Sequence, residues 1–160
     1  MEENAKQRFF LDKSLQPWYD KDTIRKELCP MKQQERHDLV EGYLGQLVRI
    51  EIDRPIGYVH HKENTNRVLV YPINYGYIPN VLGGDGEELD VYLYGVDTPV
   101  TEFVGRIVGI VYRHNDVEDK LIMAPDGITP TAQQIADAIH FQEQYYHTHV
   151  RALSQEETNS

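Results

Sequence analysis

The chain has 160 residues, of which 40% are hydrophobic and 26% charged, with a formal net charge of −10; this fits one soluble globular domain with a single core. The negative balance excludes nucleic acid as the main partner, because a phosphate backbone is gripped by a basic face. It leaves room for a small phosphate substrate whose charge is met by metal ions.

The single cysteine, Cys29, rules out an internal disulfide and suits a reducing compartment. No apolar run approaches the ~20 residues of a membrane span. The chain opens with Glu2 and Glu3 rather than a basic start and an apolar stretch, so no secretory signal is expected. The expected location is the cytoplasm, with no membrane partner.

Residues 1–43 read as a polar N-terminal extension with large apolar anchors, among them Phe9, Phe10, Trp18 and Tyr19. It carries 8 basic and 9 acidic side chains against 8 and 17 in the remainder, so the acidic excess sits in residues 44–160. Helix is expected from Asp22 to Leu28, before Pro30, and from Met31 to Tyr43, where Leu39, Val40 and Tyr43 share a side. An appendage packed on the domain or on a neighbouring subunit, and a lid or partner-binding arm, are both open readings of this extension.

From Leu44 to Asp53 the chain reads as a strand carrying Glu51, broken by Arg54-Pro55-Ile56-Gly57. Tyr58 to Arg67 is a polar turn or hairpin, and Val68 to Tyr71 a short strand. The next stretch, Tyr71 to Gly95, contains tyrosine-rich turns and then four carboxylates, Asp85, Glu87, Glu88 and Asp90, among Gly83, Gly84 and Gly86. Leu89 to Tyr94, Val104 to Arg113 and Lys120 to Met123 read as further strands. The one long helix is expected to begin with Thr129 as N-cap and Pro130 at its first position. Its apolar face would hold Ala132, Ile135, Ala138, Ile139 and Tyr146, with Phe141 and Tyr145 beside it. Residues 44–153 thus form one mostly β domain with a late helix, and 154–160 a polar tail.

Carboxylates packed so closely repel one another unless a cation lies between them. With Asp85 and Glu87 in the turn and Asp90 at the strand start, the three can converge on one point while Glu88 faces solvent. Magnesium suits such a set, because it takes oxygen ligands and keeps several waters; an acidic surface loop is the alternative. Asp116 and Glu118 form a second acidic turn, and Glu51 is a third source of carboxylate. Tyr71, Tyr75 and Tyr145 read either as half-buried packing or as neutral donors to a phosphate. Lys120, beside the acidic turn, reads as a surface ion pair or a phosphate ligand.

At Tyr71–Pro79 the sequence YPINYGYIP resembles the family I soluble inorganic pyrophosphatases. Asp85-Gly86-Glu87-Glu88-Leu89-Asp90-Val91 follows where that family has D-G-D-P-x-D-V, and Glu51, Lys120 to Pro125 and His140 to Tyr145 match in order and spacing. The resemblance covers roughly Leu44 to Tyr146. It implies a five-stranded OB-type Greek-key barrel, divalent metal in the barrel mouth (Mg2+, with Mn2+ as a substitute), a homo-oligomer, and hydrolysis of pyrophosphate to two phosphates. On that likeness Asp85, Asp90, Asp116 and Glu118 are metal ligands and Glu51 serves an outer metal. Glu87 stands where the family keeps a general-base aspartate. Tyr71, Tyr75, Lys120 and Tyr145 fall at phosphate contacts and their support.

The departures concern cations. The family's K-Y-E triplet is Gly57-Tyr58-Val59 here, its phosphate-binding arginine lies in a shortened strand near Arg67, and its helix-end Y-K pair is Tyr145-Tyr146. Arg54, His60, His61, Arg67 and Arg113 are candidate substitutes. Two functions follow: Mg2+-dependent hydrolysis of pyrophosphate or a related diphosphate, or a catalytically inactive barrel that binds a phosphorylated small molecule or a partner protein.

Overall fold

A computed structural model describes residues 32–84, 86–114 and 118–153. Asp85, Asp116, the anchors Phe9, Phe10, Trp18 and Tyr19, the helix expected over 22–28 and the tail from Ser154 lie outside the described residues. The chain runs through helix α1 (Gln33–Glu41), strands β1 (Leu47–Arg54), β2 (Val59–His61), β3 (Val68–Val70), β4 (Asn74–Leu82), β5 (Glu88–Leu93), β6 (Glu102–Arg113) and β7 (Lys120–Ala124), helix α2 (Ala132–Glu143) and strand β8 (Thr148–Ala152).

Strand order β1-β4-β5-β7-β6 closes on itself through a β1–β6 pairing, giving the expected five-stranded barrel. Closure leaves none of these strands with two open edges. Strand β8 pairs antiparallel with the end of β6 outside the ring, and β2 and β3 make a separate hairpin. Among the described strands only β5 and β7 run parallel.

Period-two alternation divides the barrel wall into two faces. Ile50, Ile78, Val91, Ile107, Ile110 and Leu121, drawn from all five barrel strands, fill the interior. The opposite face carries Tyr75, Tyr92, Val108, Val111 and Ile122, covered by Ile135 and Ile139 of α2. Polar residues of the same parity, among them Asp90, Glu118, Lys120 and Arg113, therefore emerge on this outer, helix-covered face.

Several boundaries differ from the sequence reading. The YPINYGY segment is not a pair of turns; from Asn74 it is strand β4, paired with both β1 and β5. Gly76 has a specific reason for lacking a side chain: a Cβ there would lie 1.8 Å from the Glu51 carbonyl oxygen and 2.9 Å from Ile52 Cα. Helix α2 is capped by Thr131, not Thr129, because Thr131 Oγ1 accepts from Gln134 N and Gln134 Oε1 accepts from Thr131 N, a reciprocal capping box. The helix ends at Glu143, so Tyr145 and Tyr146 lie beyond it rather than on its face. Strand β8 was not expected at all.

Helix α1 matches the one expected over Met31–Tyr43 and is bolted to the barrel. Val40 is buried against the interior cluster, Arg36 donates to the Arg113 carbonyl at 3.2 Å, and His37 Nδ1 lies 2.8 Å from Asp119 Oδ2. No described helix is long and apolar enough to cross a membrane.

Candidate active site

A cleft of about 190 Å³ opens on the outer face, between the β1–β2 corner, strands β5 and β7, and the C-terminal end of α2. One half is built on Lys120, whose side chain is only 2% exposed. Its Nζ donates to Glu118 Oε1 at 2.6 Å, to Asp90 Oδ2 at 2.8 Å and to the Tyr75 hydroxyl at 2.6 Å. All three donors of the ammonium are thus used. Burial works against its charge, but Asp90 and Glu118 outweigh that cost and hold its pKa above the ordinary lysine value. The Tyr75 hydroxyl is held well above the usual phenol range by burial and by the negative charge of Asp90 and Glu118, so it stays a neutral donor.

Arg113 braces this half against the helix. Its Nε and Nη2 donate to the two oxygens of Glu143 at 2.9 and 2.6 Å, its Nη1 lies 3.4 Å from Glu118 Oε1, and its guanidinium stacks 3.7 Å from the centre of the Tyr146 ring. Tyr92 donates to Glu143 at 2.5 Å and accepts from Gln142 Nε2, while Gln142 Oε1 accepts from the Tyr71 hydroxyl at 2.6 Å. Gln142 and Glu143 are buried because these partners satisfy them.

The other half is cationic. Arg54 Nη1 donates to the Tyr71 hydroxyl at 2.6 Å, and Lys62 Nζ donates to the Tyr146 hydroxyl at 3.1 Å. His60 stands on the same wall. Partial burial, then the charges of Arg54, Lys62 and His61, push its pKa below the ordinary histidine value. Arg67 stacks on Tyr145 at 4.1 Å, at the rim.

Of the residues proposed from sequence, Asp90, Glu118, Lys120, Tyr75 and Tyr145 all line this cleft. Lys120 is not a surface ion pair: the Asp90 and Glu118 carboxylates and the Tyr75 phenol surround its buried ammonium. Tyr71 lies one layer behind, in the core, where it fixes Arg54. Glu51 shares the outer face, in the row Glu51–Tyr77–Asp90, but is held by Arg49 and does not reach the cleft lining. Glu87 is half-buried in the turn before β5, its carbonyl accepting from Gly83 N at 2.8 Å, and is not among the lining residues. Glu88 is not turned to solvent as expected; it has the parity of Asp90, and its Oε2 accepts from Asn80 N at 2.8 Å. The barrel-wall residues Tyr75, Asp90, Arg113 and Lys120, which line the cleft, all belong to the helix-covered face.

Sequence reasoning missed Lys62 and Gln142, and gave Glu143 no role although it lies in the matched His140–Tyr145 segment. His60 carried the only signal for Lys62, because residues two apart on a strand share a side. Among the described residues no group of three acidic, histidine or cysteine side chains is placed to hold a metal. What is present, Asp90 and Glu118 drawn to one ammonium, is an all-oxygen donor pair. That chemistry fits magnesium or manganese rather than a softer ion.

The profile described as inorganic pyrophosphatase matches residues 39–154. The inorganic pyrophosphatase of Saccharolobus solfataricus is 31% identical over 122 residues, covering 66% of this chain and 71% of that protein. Inorganic pyrophosphatase 2 of Pseudomonas syringae pv. tomato is 34% identical over 83 residues, and the inorganic pyrophosphatase of Xylella fastidiosa 41% over 85. Those matches cover 49% of this chain but only 45% and 46% of the two relatives, so the chain spans about half their length. Among solved structures, the inorganic pyrophosphatase from Ehrlichia chaffeensis superposes with a TM-score of 0.51 at 20% identity, over 72% of this chain and 91% of that one. At that identity the likeness is one of fold.

Proposed function

The chain belongs to the inorganic pyrophosphatase family, and we propose on that footing that it hydrolyses inorganic pyrophosphate, or a closely related small diphosphate, to phosphate. The observation that carries the reading is the buried Lys120, which gathers Asp90, Glu118 and Tyr75 at one point of a cleft whose opposite wall is cationic.

The donor set suits Mg2+, with Mn2+ as a substitute. Asp90 and Glu118 would hold the ion together with Asp85 and Asp116, which lie outside the described residues. A bound divalent cation offsets phosphate charge and lowers the pKa of water. The protein's own groups do the rest. The neutral Tyr75 hydroxyl orients one phosphate beside the carboxylates, with Lys120 holding Tyr75, Asp90 and Glu118 in place and Tyr145 at the rim. Glu87 takes a proton from the attacking water, whose oxygen bonds to phosphorus as the bridging P–O bond breaks. Glu51 would serve an outer ion. The loss of the family's cations and the aromatic-anchored N-terminal extension motivate the alternative of a binding-only barrel; Arg54 and Lys62 on the cleft wall answer the first of these grounds. A homo-oligomer and a cytoplasmic location belong to the same proposal, on the strength of the family.

Phosphate release from pyrophosphate in the presence of Mg2+ or Mn2+ tests the proposal. Asp90→Asn and Glu87→Gln should each lower turnover by about a hundredfold or more. Equal release by Asp90→Asn and the parent protein would overturn it, as would no release from any diphosphate.

A further inference from the structure

The charges of the cleft do not cancel evenly along its length. In the inner half, Lys120 and Arg113 are matched by Asp90, Glu118 and Glu143 through ion pairs of 2.6–3.4 Å. Across the cleft, Arg54 and Lys62 have no ion pair among the described residues; each is steered by a neutral phenol instead, Tyr71 and Tyr146 respectively. Asp53, the chain neighbour of Arg54, adds attraction without forming an ion pair. A phenol oxygen occupies one donor of each cation, whereas a guanidinium has five and an ammonium three. The spare donors belong to side chains that line the same cleft, with His60 beside them.

Both cations are held in place. Tyr71 is buried and fixed by Gln142, and Tyr146 is pinned under Arg113. The Arg54 guanidinium sits 5.5–5.7 Å from the ring centres of Tyr58, Tyr71 and Tyr75. A cation used only to cover an aromatic ring gains little from being shared among three rings and aimed at a cleft. A preorganised pair of cations with unused donors matches the oxygens of a phosphate.

We infer that Arg54 and Lys62, with His60 beside them, form an oxyanion subsite that holds a phosphate group without any divalent metal. The subsite takes the substrate phosphate farther from Asp90 and Glu118. That last assignment rests on the proposed hydrolysis; the metal-free binding does not.

Calorimetry with inorganic phosphate and with methylenediphosphonate, in excess EDTA, tests it on the full chain. The parent protein should bind both saturably, and the His60 ring resonances should move on titration. Lys62→Gln and Arg54→Gln should each weaken binding by about tenfold or more, since each removes a charge-assisted hydrogen bond. Lys62 lies just after strand β2, away from the core, so its substitution leaves a folded protein even if that of Arg54 does not; the urea midpoint checks both. No saturable binding in EDTA, or equal binding by folded Lys62→Gln, overturns the inference. Metal-free binding that both variants lose supports the subsite even where pyrophosphate is not hydrolysed, so failure of the activity and failure of the subsite give different results.

Discussion

The bidentate pair between Arg113 and Glu143 should be the most consequential single contact between α2 and the barrel. Both side chains are nearly inaccessible, at 3% and 4% exposure, and the two hydrogen bonds measure 2.9 and 2.6 Å. Glu143→Gln preserves shape but turns one carboxylate oxygen into an amide NH2. That group then faces donors, because Arg113 and the Tyr92 hydroxyl both point at Glu143. Among the described residues, the compensating carboxylate left to Arg113 is Glu118, at the longer distance of 3.4 Å. Breaking a buried pair on one side costs roughly 3–5 kcal/mol. At about 2–4 °C per kcal/mol for a chain of this size, the midpoint should fall by roughly 6–20 °C. Thermal and urea unfolding followed by circular dichroism measure both quantities. In a double-mutant cycle with Arg113→Met the two losses should overlap by about 2 kcal/mol or more, because either change alone strands the other partner. A Glu143→Gln loss below about 1 kcal/mol, or strict additivity in the cycle, would refute this account of how the helix is held.

Gly76→Ala should destabilise by about 3 kcal/mol or more, because the atoms a Cβ would meet are backbone atoms of β1 and no side chain can yield; an unchanged urea midpoint would contradict the β1–β4 packing. The His60 ring, whose protonation is disfavoured by partial burial and by Arg54 and Lys62, should titrate below its ordinary value of 6.5. Removing either positive neighbour should raise that midpoint, and proton NMR of Lys62→Gln that shows no rise would separate the two side chains. Asp119→Asn should loosen α1, since this fully buried carboxylate receives Arg113 N at 3.1 Å and lies 2.8 Å from His37 and 3.4 Å from Arg36. Amide exchange over residues 33–41 should then quicken, while equal protection in both proteins would show that Val40 alone docks the helix.

Much of the barrel was legible because its central strands are β-branched and flanked by turn residues: Val104 to Arg113 and Lys120 to Met123 read correctly for that reason. Strand β4 did not, because Asn, Gly and Pro outweigh its alternating tyrosines in any local reading. Its glycine is selected by the close approach of β1, a partner distant in sequence. Strand β8, Thr148–Ala152, has no apolar run and is a strand only because the end of β6 offers it an edge. At the cleft, Asp90, Glu118, Lys120 and Tyr75 could be named from the resemblance, but their burial and pairing could not. A lysine in sequence reads as solvated; Lys120 is buried because a carboxylate from β5, another from the segment just before β7 and a phenol from β4 meet it. Glu143 fell within the matched His140–Tyr145 segment without a role, and Gln142 beside it carried no signal, as their roles depend on how α2 lies across the sheet.

The lost lysine of the K-Y-E triplet has a backbone explanation. Gly57 occupies that position with φ of +92°, in a turn closed by its N–H to the Tyr71 carbonyl at 2.8 Å. A side chain there would meet open space but would pay the left-handed penalty of about 1–2 kcal/mol. On either side of the turn, Arg54 ends β1 after a register shift and Lys62 follows β2, and both reach the cleft. The same corner that disfavours a charge at position 57 thus brings two other charges inward. Gly57→Lys should therefore cost about 1–2 kcal/mol of stability and add nothing to phosphate binding or pyrophosphate turnover. Urea unfolding and phosphate-release assays on the single variant, and on Gly57→Lys combined with Lys62→Gln, separate the cases. A severalfold gain in turnover for the single variant would mean that Arg54 and Lys62 do not supply the missing charge.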